Sequence, residues 1–181
     1  MQYISNDEGD GIRTFGPSDI FHYIYSLLFS NTYRTRYLQF LKIDFPCIPL
    51  TSDSKLFRSL YKLGKQLVNI HLFESTVFDS LPLIFSGKGD FTVTNGYPKY
   101  RGEKVLINNS QFFNYVPQEV WVFQIGGYQV CHKWLKDRRG RKLSEEEIIH
   151  YQKIIVALKE TIRLMGEIDQ EIEKAGGWPI K

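Results

Sequence analysis

Cysteine is scarce: Cys47 and Cys131 are the only two in 181 residues, 84 positions apart and outside any CxxC. That spacing excludes a disulfide framework and a zinc knuckle. No apolar run reaches the ~18–20 residues of a membrane span, and the opening MQYISNDEGDGIR has no signal-peptide apolar core. The expectation is a chain of a reducing compartment, cytoplasmic, with no membrane partner. Histidine is sparse as well: His22, His71, His132 and His150 fall in no HExxH and in no cluster with carboxylates. Cys131 and His132 are sequence neighbours on a predicted helix, where adjacent side chains point apart, so they make no thiol–imidazole couple. Neither GxSxG nor GxxxxGK[ST] occurs, and no carboxylate set has metal-site spacing. These absences exclude an independent active site, and the expectation is no catalytic residue, no metal and no cofactor in this chain.

What is present is a full core. Hydrophobic residues make up 43%, charged residues 24% and aromatics 15%, which excludes wholesale disorder. The net charge of +3 is too small by itself to indicate a polyanion partner. Its distribution says more. Lys133, Lys136, Arg138, Arg139, Arg141 and Lys142 oppose only Asp137 between positions 133 and 142, giving +5 there and −2 over the rest. Such a segment binds phosphate by counterion release. A solvated helix end is the competing reading of the same run.

Residues 1–17, polar and Gly-rich (Asp7, Glu8, Gly9, Asp10, Gly11), read as a flexible tail or linker end. A helical subdomain follows over 18–80. Ser18 is a cap for a helix with Ile20, Phe21, Ile24, Leu27 and Leu28 on its apolar face. Tyr33, Tyr37, Phe40 and Leu41 share a second, shorter helix, and the prolines of Phe45–Leu50 force extended chain. Ser52, Asp53 and Ser54 offer caps for a helix to about Phe73, with a seam at Leu56, Leu60, Leu63, Leu67 and Ile70. Residues 81–175 read as a β-rich recognition subdomain with a long C-terminal helix. LPLIF, DFTVT, KVLIN and VWVFQI are short strand-like runs, and Tyr100–Glu103 is a hairpin turn. Gly126-Gly127 ends the β region, and Tyr128 to Arg138 is a helix closed by Gly140. Ser144 and Glu147 form a capping box. The helix they open runs to about Lys174 with Ile148, Tyr151, Ile155, Leu158, Ile162 and Met165 on one seam. The fold class is α+β: a small, mostly antiparallel sheet flanked by N-terminal helices and a long C-terminal helix.

Phe85-Ser86-Gly87-Lys88-Gly89 matches the FxGxG of an S-adenosylmethionine loop. Residues 90–94 read as strand where that loop needs a helix, and the chain has no Pro-Pro-Tyr or Pro-Pro-Phe, so the segment is a turn. Tyr97, Tyr100 and Tyr128 stand beside glycine or basic residues at predicted turns, where a ring can stack on a base; core packing is the alternative for each.

Ile125-Gly126-Gly127-Tyr128-Gln129-Val130, followed by KWLKDRRGRKLS from Lys133, resembles the C-terminal target-recognition (specificity) domain of type ISP and type IIG restriction–modification enzymes. Tyr33–Tyr37, Phe45–Leu50, Gly87–Asp90, Ile107–Gln111 and His150–Ile154 resemble the same family in the same order, so the likeness covers roughly residues 20–169. The resemblance implies a DNA-binding domain of bacterial defence, without catalysis of its own. Its partners would be duplex DNA and the methyltransferase and nuclease or helicase domains of a longer parent, and S-adenosylmethionine and Mg would belong to those missing domains. Gln124 stands where relatives commonly have His, and Asn109-Ser110-Gln111 replaces a more usual Asn-Lys-Thr-Gln.

The candidate contacts follow in three groups. Lys133, Lys136, Arg138, Arg139, Arg141 and Lys142 are phosphate contacts, with Tyr128 and Gln129 opening the helix beside them. Lys99, Tyr100, Arg101 and Lys104 on the hairpin are groove contacts. Lys88, Asn109 and Gln111 form the third group. A structural reading of IGGYQV–KWLKDR stands beside this one: the glycines make a turn, Trp134 anchors it, and Lys136 and Arg138 brace it. The alternative function is a protein-interaction or docking module that packs through the two helical seams.

Overall fold

The computed structural model describes residues 1–5, 7–10 and 13–180, so Asn6, Gly11 and Ile12 of the polar N-terminal stretch lie outside the described residues. The fold is α+β and divides into two units, Met1–Ser75 with Glu160–Lys181, and Thr76–Lys159.

In the first unit β1 (Gln2–Tyr3) pairs in parallel with β2 (Thr14–Phe15). Helix α1 (Pro17–Phe29) follows, then α2 (Asn31–Arg36), α3 (Leu38–Leu41) and α4 (Ser54–His71). The start of α1 differs from expectation. Ser18 lies inside the first turn and donates to Asp7, while Gly16 is the N-cap and the Asp19 carboxylate accepts from the Gly9 and Gly16 amides at 2.7 and 2.9 Å. The buried stripe of α1 also differs, being Asp19, His22, Tyr23, Ser26 and Leu27, whereas Phe21 is exposed. The reason is the approach of α4. A Cβ on Gly64 would lie 1.8 Å from the His22 carbonyl oxygen, so the two helices meet backbone to backbone. Small or hydrogen-bonded groups fit such a crossing where branched apolar ones do not. Gly64→Ala is therefore expected to destabilise the chain by about 1–3 kcal/mol, because the opposing atom is backbone and cannot yield cheaply. A thermal melt should fall by several degrees, and an unchanged melting temperature would refute the close crossing.

Asp53 caps α4 by accepting from the Lys55 amide at 2.8 Å, and Leu56, Leu60, Leu63, Leu67 and Ile70 are all buried. That seam is consumed within the fold, which removes the basis on which a partner would pack against it. At the end of α4, His71 lies between the Tyr25 hydroxyl (2.7 Å) and the Thr161 hydroxyl (2.9 Å). Burial holds its pKa below the ordinary imidazole value.

The second unit carries a four-stranded antiparallel sheet in the order β3-β6-β5-β4, formed by β3 (Phe85–Ser86), β4 (Lys99–Arg101), β5 (Lys104–Leu106) and β6 (Phe112–Phe113). The β4–β5 turn is Gly102-Glu103, both at positive φ, as a two-residue hairpin of type I′ requires. Two of the expected strand runs fold otherwise. Thr92 of DFTVT makes one isolated bridge, to Lys142, and VWVFQI divides, its first half closing helix α5 (Gln118–Val122) and only Gln124–Ile125 forming a strand. Pro117 starts that helix, and its apolar residues reach the core through Val120; a short apolar run of this kind does not distinguish a helical turn from a strand.

The glycine pair also does something else than open a helix. Gly126 and Gly127, at φ 58° and 83°, turn a hairpin between β7 (Gln124–Ile125) and β8 (Tyr128–Gln129). Helix α6 starts only at Val130 and ends at Lys136, so Tyr128 and Gln129 are strand residues. Helix α7 (Glu145–Lys174) carries the capping box: Glu147 N donates to Ser144 Oγ and Ser144 N to Glu147 Oε2, both at 3.1 Å. Ile148, Tyr151, Ile155, Leu158 and Met165 of its seam are buried. The core of this unit gathers Val105, Ile107, Phe113, Leu135, Leu143 and Tyr151. The Tyr151 hydroxyl donates to the Cys131 carbonyl at 3.1 Å, and the buried Cys131 thiol is pushed up to about 12.

Candidate nucleic-acid interface

Every candidate contact lies in residues 76–159, where twelve Lys and Arg face eight Asp and Glu, a surplus of four positive charges. The remaining residues sum to −1. The basic loop after α6 is held by backbone pairing along residues 91–93. Gly140 N donates to Val93 O at 2.8 Å, Val93 N to Arg141 O at 3.1 Å, and Leu143 N to Phe91 O at 3.0 Å. The loop is thus an added edge of the β region rather than a frayed helix end. Its charge is presented from fixed backbone.

The six cations of the loop then separate by role. Arg138 lies with its guanidinium 3.5 Å from the Trp134 ring centroid and donates to Glu147 Oε1 (3.1 Å) and the Trp134 carbonyl (3.0 Å). Arg141 donates twice to Glu147, at 2.5 and 3.2 Å. Held by both arginines, with Arg141 the stronger influence, the Glu147 carboxyl is lowered from 4.5 to about 2. Lys133 pairs with Asp137. Arg138 thus braces the IGGYQV–KWLKDR stretch with Glu147 as its counter-charge, and Leu135 is fully buried, whereas Lys136, expected as a second brace, is exposed. Glu147 was legible in the sequence as a capping residue only, because nothing in the spacing announces its pairing with arginines six and nine residues earlier.

Arg139, Lys136 and Lys142 are exposed, and Lys136 and Lys142 make no ion pair among the described residues. Arg139 Nε donates to the Tyr97 carbonyl. Lys136 and Arg139 both depress the His132 imidazole, whose pKa is lowered first by burial. The two cations therefore face one neighbourhood.

Tyr97 joins this loop to the third group. Its hydroxyl donates to Asn109 Oδ1 at 2.5 Å, and Lys99 Nζ lies 4.7 Å from its ring centroid. The backbone of Lys88 is tied to the same place, since Ser110 Oγ donates to the Lys88 carbonyl at 2.8 Å. Lys99, Asn109 and Arg139 thus meet at one tyrosine, with Lys88 tied to the residue after Asn109, and all four are exposed. Tyr97 itself is buried, so its ring is a hub rather than a stacking platform.

Gln111 is fully buried: its Oε1 accepts from Phe91 N (2.9 Å) and Asn108 Nδ2 (3.0 Å), and it presents no edge to a partner in this conformation. A Cβ on Gly89 would lie 2.5 Å from Gln111 Oε1 and one on Gly87 2.0 Å from Ser110 O. The FxGxG segment is accordingly a turn fitted against residues 108–111, with no helix after it.

The other candidates lie apart from the Tyr97 cluster. Tyr100 stacks on Trp121 (5.4 Å between centroids, 9° between planes) and donates to the Val116 carbonyl at 2.9 Å, so both ring and hydroxyl have structural partners. Arg101 and Lys104 are exposed at the tip of the β4–β5 hairpin, with Lys104 Nζ 4.6 Å from the Phe112 ring centroid. Tyr128 is exposed on the β7–β8 hairpin, where Lys133 Nζ lies 5.9 Å from its ring centroid, and Gln129 faces Gln124 across the ladder. Among the described residues no group of three or more His, Cys, Asp or Glu is placed to hold a metal ion, and no helix is long and apolar enough to cross a membrane.

Comparison with curated proteins finds no match. Among solved structures, the fold is similar to part of a nuclease-deletion mutant of the Type ISP restriction-modification enzyme LlaGI in complex with a DNA substrate mimic. The TM-score is 0.62 and the identity 20%, over 84% of this chain and 14% of that chain. The DrdV–DNA complex gives a TM-score of 0.65 at 19% identity, over 83% of this chain and 18% of that one. The ATP-dependent Type ISP restriction-modification enzyme LlaBIII bound to DNA gives 0.62 at 18%, over 83% and 11%. At these identities the likeness is one of fold, and the chain spans less than a fifth of the length of each of these proteins. The family described as the Type ISP C-terminal specificity domain matches residues 3–167, nearly the whole chain, and the chain belongs to that family.

Proposed function

We propose that this chain binds duplex DNA through residues 76–159 and reads a target sequence for an adenine-N6 methyltransferase that it does not itself contain. The carrying observation is the backbone-fixed loop that places Arg139 and Lys142 on the same β region as Lys88, Lys99 and Asn109. In this reading Lys136, Arg139 and Lys142 contact phosphates and fix the register, while Asn109, Lys99 and Lys88 read base edges. Arg138 and Arg141 act through Glu147 to hold the loop, and Gln111 holds residues 87–91 in place from within. The β-rich part from about residue 81 is the reader.

The solved proteins of similar fold are described as DNA-bound, and the chain spans 11–18% of their lengths. Methylation, DNA cleavage and the use of S-adenosylmethionine and Mg would then belong to other domains of a longer polypeptide in a prokaryotic cytoplasm. The chain contributes recognition. A docking module is the weaker reading, because the Leu56–Ile70 seam is already buried within the fold.

The test is selection of a randomised duplex library on this chain at moderate salt, followed by sequencing of the bound fraction. An enriched motif is expected. Binding without enrichment would reduce the chain to a nonspecific clamp, and absence of binding at low salt would overturn the proposal.

A further inference from the structure

Asn109 is an exposed amide whose two ends are not equivalent. Its Oδ1 is 2.5 Å from the Tyr97 hydroxyl, a separation that suits an O–H···O bond and is too short for an N–H···O one. The carbonyl end therefore accepts from a buried tyrosine, and Nδ2 is the end that carries no partner among the described residues. Two donors meet the same tyrosine: the Lys99 ammonium, 4.7 Å from its ring centroid, and the guanidinium of Arg139, whose Nε is fixed on the Tyr97 carbonyl. Two neighbouring acceptors are already engaged within the chain, Asn108 in the interior and Asp90 on the surface. Asp90 Oδ1 accepts from the Thr92 amide at 3.0 Å, and Asn108 Oδ1 accepts from the Ser110 and Gln111 amides at 3.0 and 2.7 Å.

We infer that Tyr97 locks Asn109 as a one-sided donor, so that the Tyr97 cluster selects guanine in the target. This rests on the reading that residues 76–159 bind duplex DNA. In the major groove guanine presents two acceptors, N7 and O6, and cytosine and adenine each present an exocyclic amine. A free asparagine pairs with adenine because it offers a donor and an acceptor side by side. An asparagine whose acceptor is already engaged loses that option, and a surface made of donors then favours the acceptor-rich edge. Tyr97 is the positioning residue and Asn109 the reader.

The experiment compares the wild-type chain with Asn109→Asp and Tyr97→Phe in the same randomised duplex selection, with a thermal melt confirming that each variant folds. The wild-type motif is expected to hold a guanine preferred about tenfold or more over other bases at one position. Asn109→Asp replaces the donor by an acceptor, so the preference there should move to cytosine or adenine. Tyr97→Phe keeps the ring but frees the amide, so adenine should be accepted at the same position. A wild-type motif without guanine, or one that neither variant changes, overturns this inference and leaves DNA reading intact. A wild-type chain that binds no duplex overturns both.

Discussion

Replacing Lys136, Arg139 and Lys142 together by glutamine is expected to weaken duplex binding by roughly 500-fold at about 0.1 M salt. Each phosphate neutralised releases about 0.9 counterion, so three contacts amount to about 2.7 logarithmic units at that salt. The slope of log binding constant against log salt should become shallower by about 2.7. Because phosphate contacts position rather than specify, the loss should be nearly uniform across sequences, and any enriched motif should survive at lower salt. These three side chains are the right ones to change because they are exposed and their neighbours are not free: Arg138 and Arg141 face Glu147, and Lys133 faces Asp137. The matched control is Arg34, Lys42 and Lys55, exposed cations of the other unit, whose replacement should cost less than about threefold. Equal losses for the two triples would mean that net charge, and not this surface, governs binding.

The helical parts of the fold were legible in the sequence because period and capping agree there. Leu56 to Ile70 and Ile148 to Met165 step by three and four, and Asp53, Ser144 and Glu147 cap where the residue types indicate. The β region was legible in kind but not in its limits. VWVFQI is a run too short to show a period, and only the proline before it marks the helical turn that its first half forms. The glycine pair was visible, yet whether it starts a helix or turns a hairpin depends on whether Gln124–Ile125 finds a partner strand, a tertiary fact. The same limit applies to the site. Six cations in ten residues were apparent, but their division into braces and free charges depends on Glu147, and the meeting of Tyr97 with Asn109 depends on the sheet. Charge can be read from composition; which charges already have partners cannot.

Glu147→Gln separates charge from geometry, because the two make opposite predictions. The substitution removes a negative charge beside the basic loop. Electrostatics alone would then tighten DNA binding, by up to about eightfold if one more cation were released to a phosphate. The Glu147 carboxylate, however, accepts from Arg138, from both ends of the Arg141 guanidinium and from the Ser144 amide, so it fixes the loop at the start of α7. Hydrogen bonds to a charged group of this kind are each worth about 1.5–3 kcal/mol, and glutamine keeps only part of the set. A net loss of about 2 kcal/mol is expected, which lowers the melting temperature by roughly 4–8 °C for a chain of this size. Binding should weaken despite the gain in positive charge, because Arg139 and Lys142 lie on the loop that loosens. The pH dependence provides a second readout. The folded-state pKa of Glu147, about 2, lies below its ordinary value of 4.5, so the folded state binds fewer protons. Its stabilisation is fully present above the unfolded value and is lost as pH falls through the folded one. The difference in melting temperature between wild type and Glu147→Gln should accordingly be largest above about pH 5 and close as pH falls toward 2. Tighter binding by the variant, with an unchanged melting temperature, would show that Arg138 and Arg141 are free phosphate contacts after all.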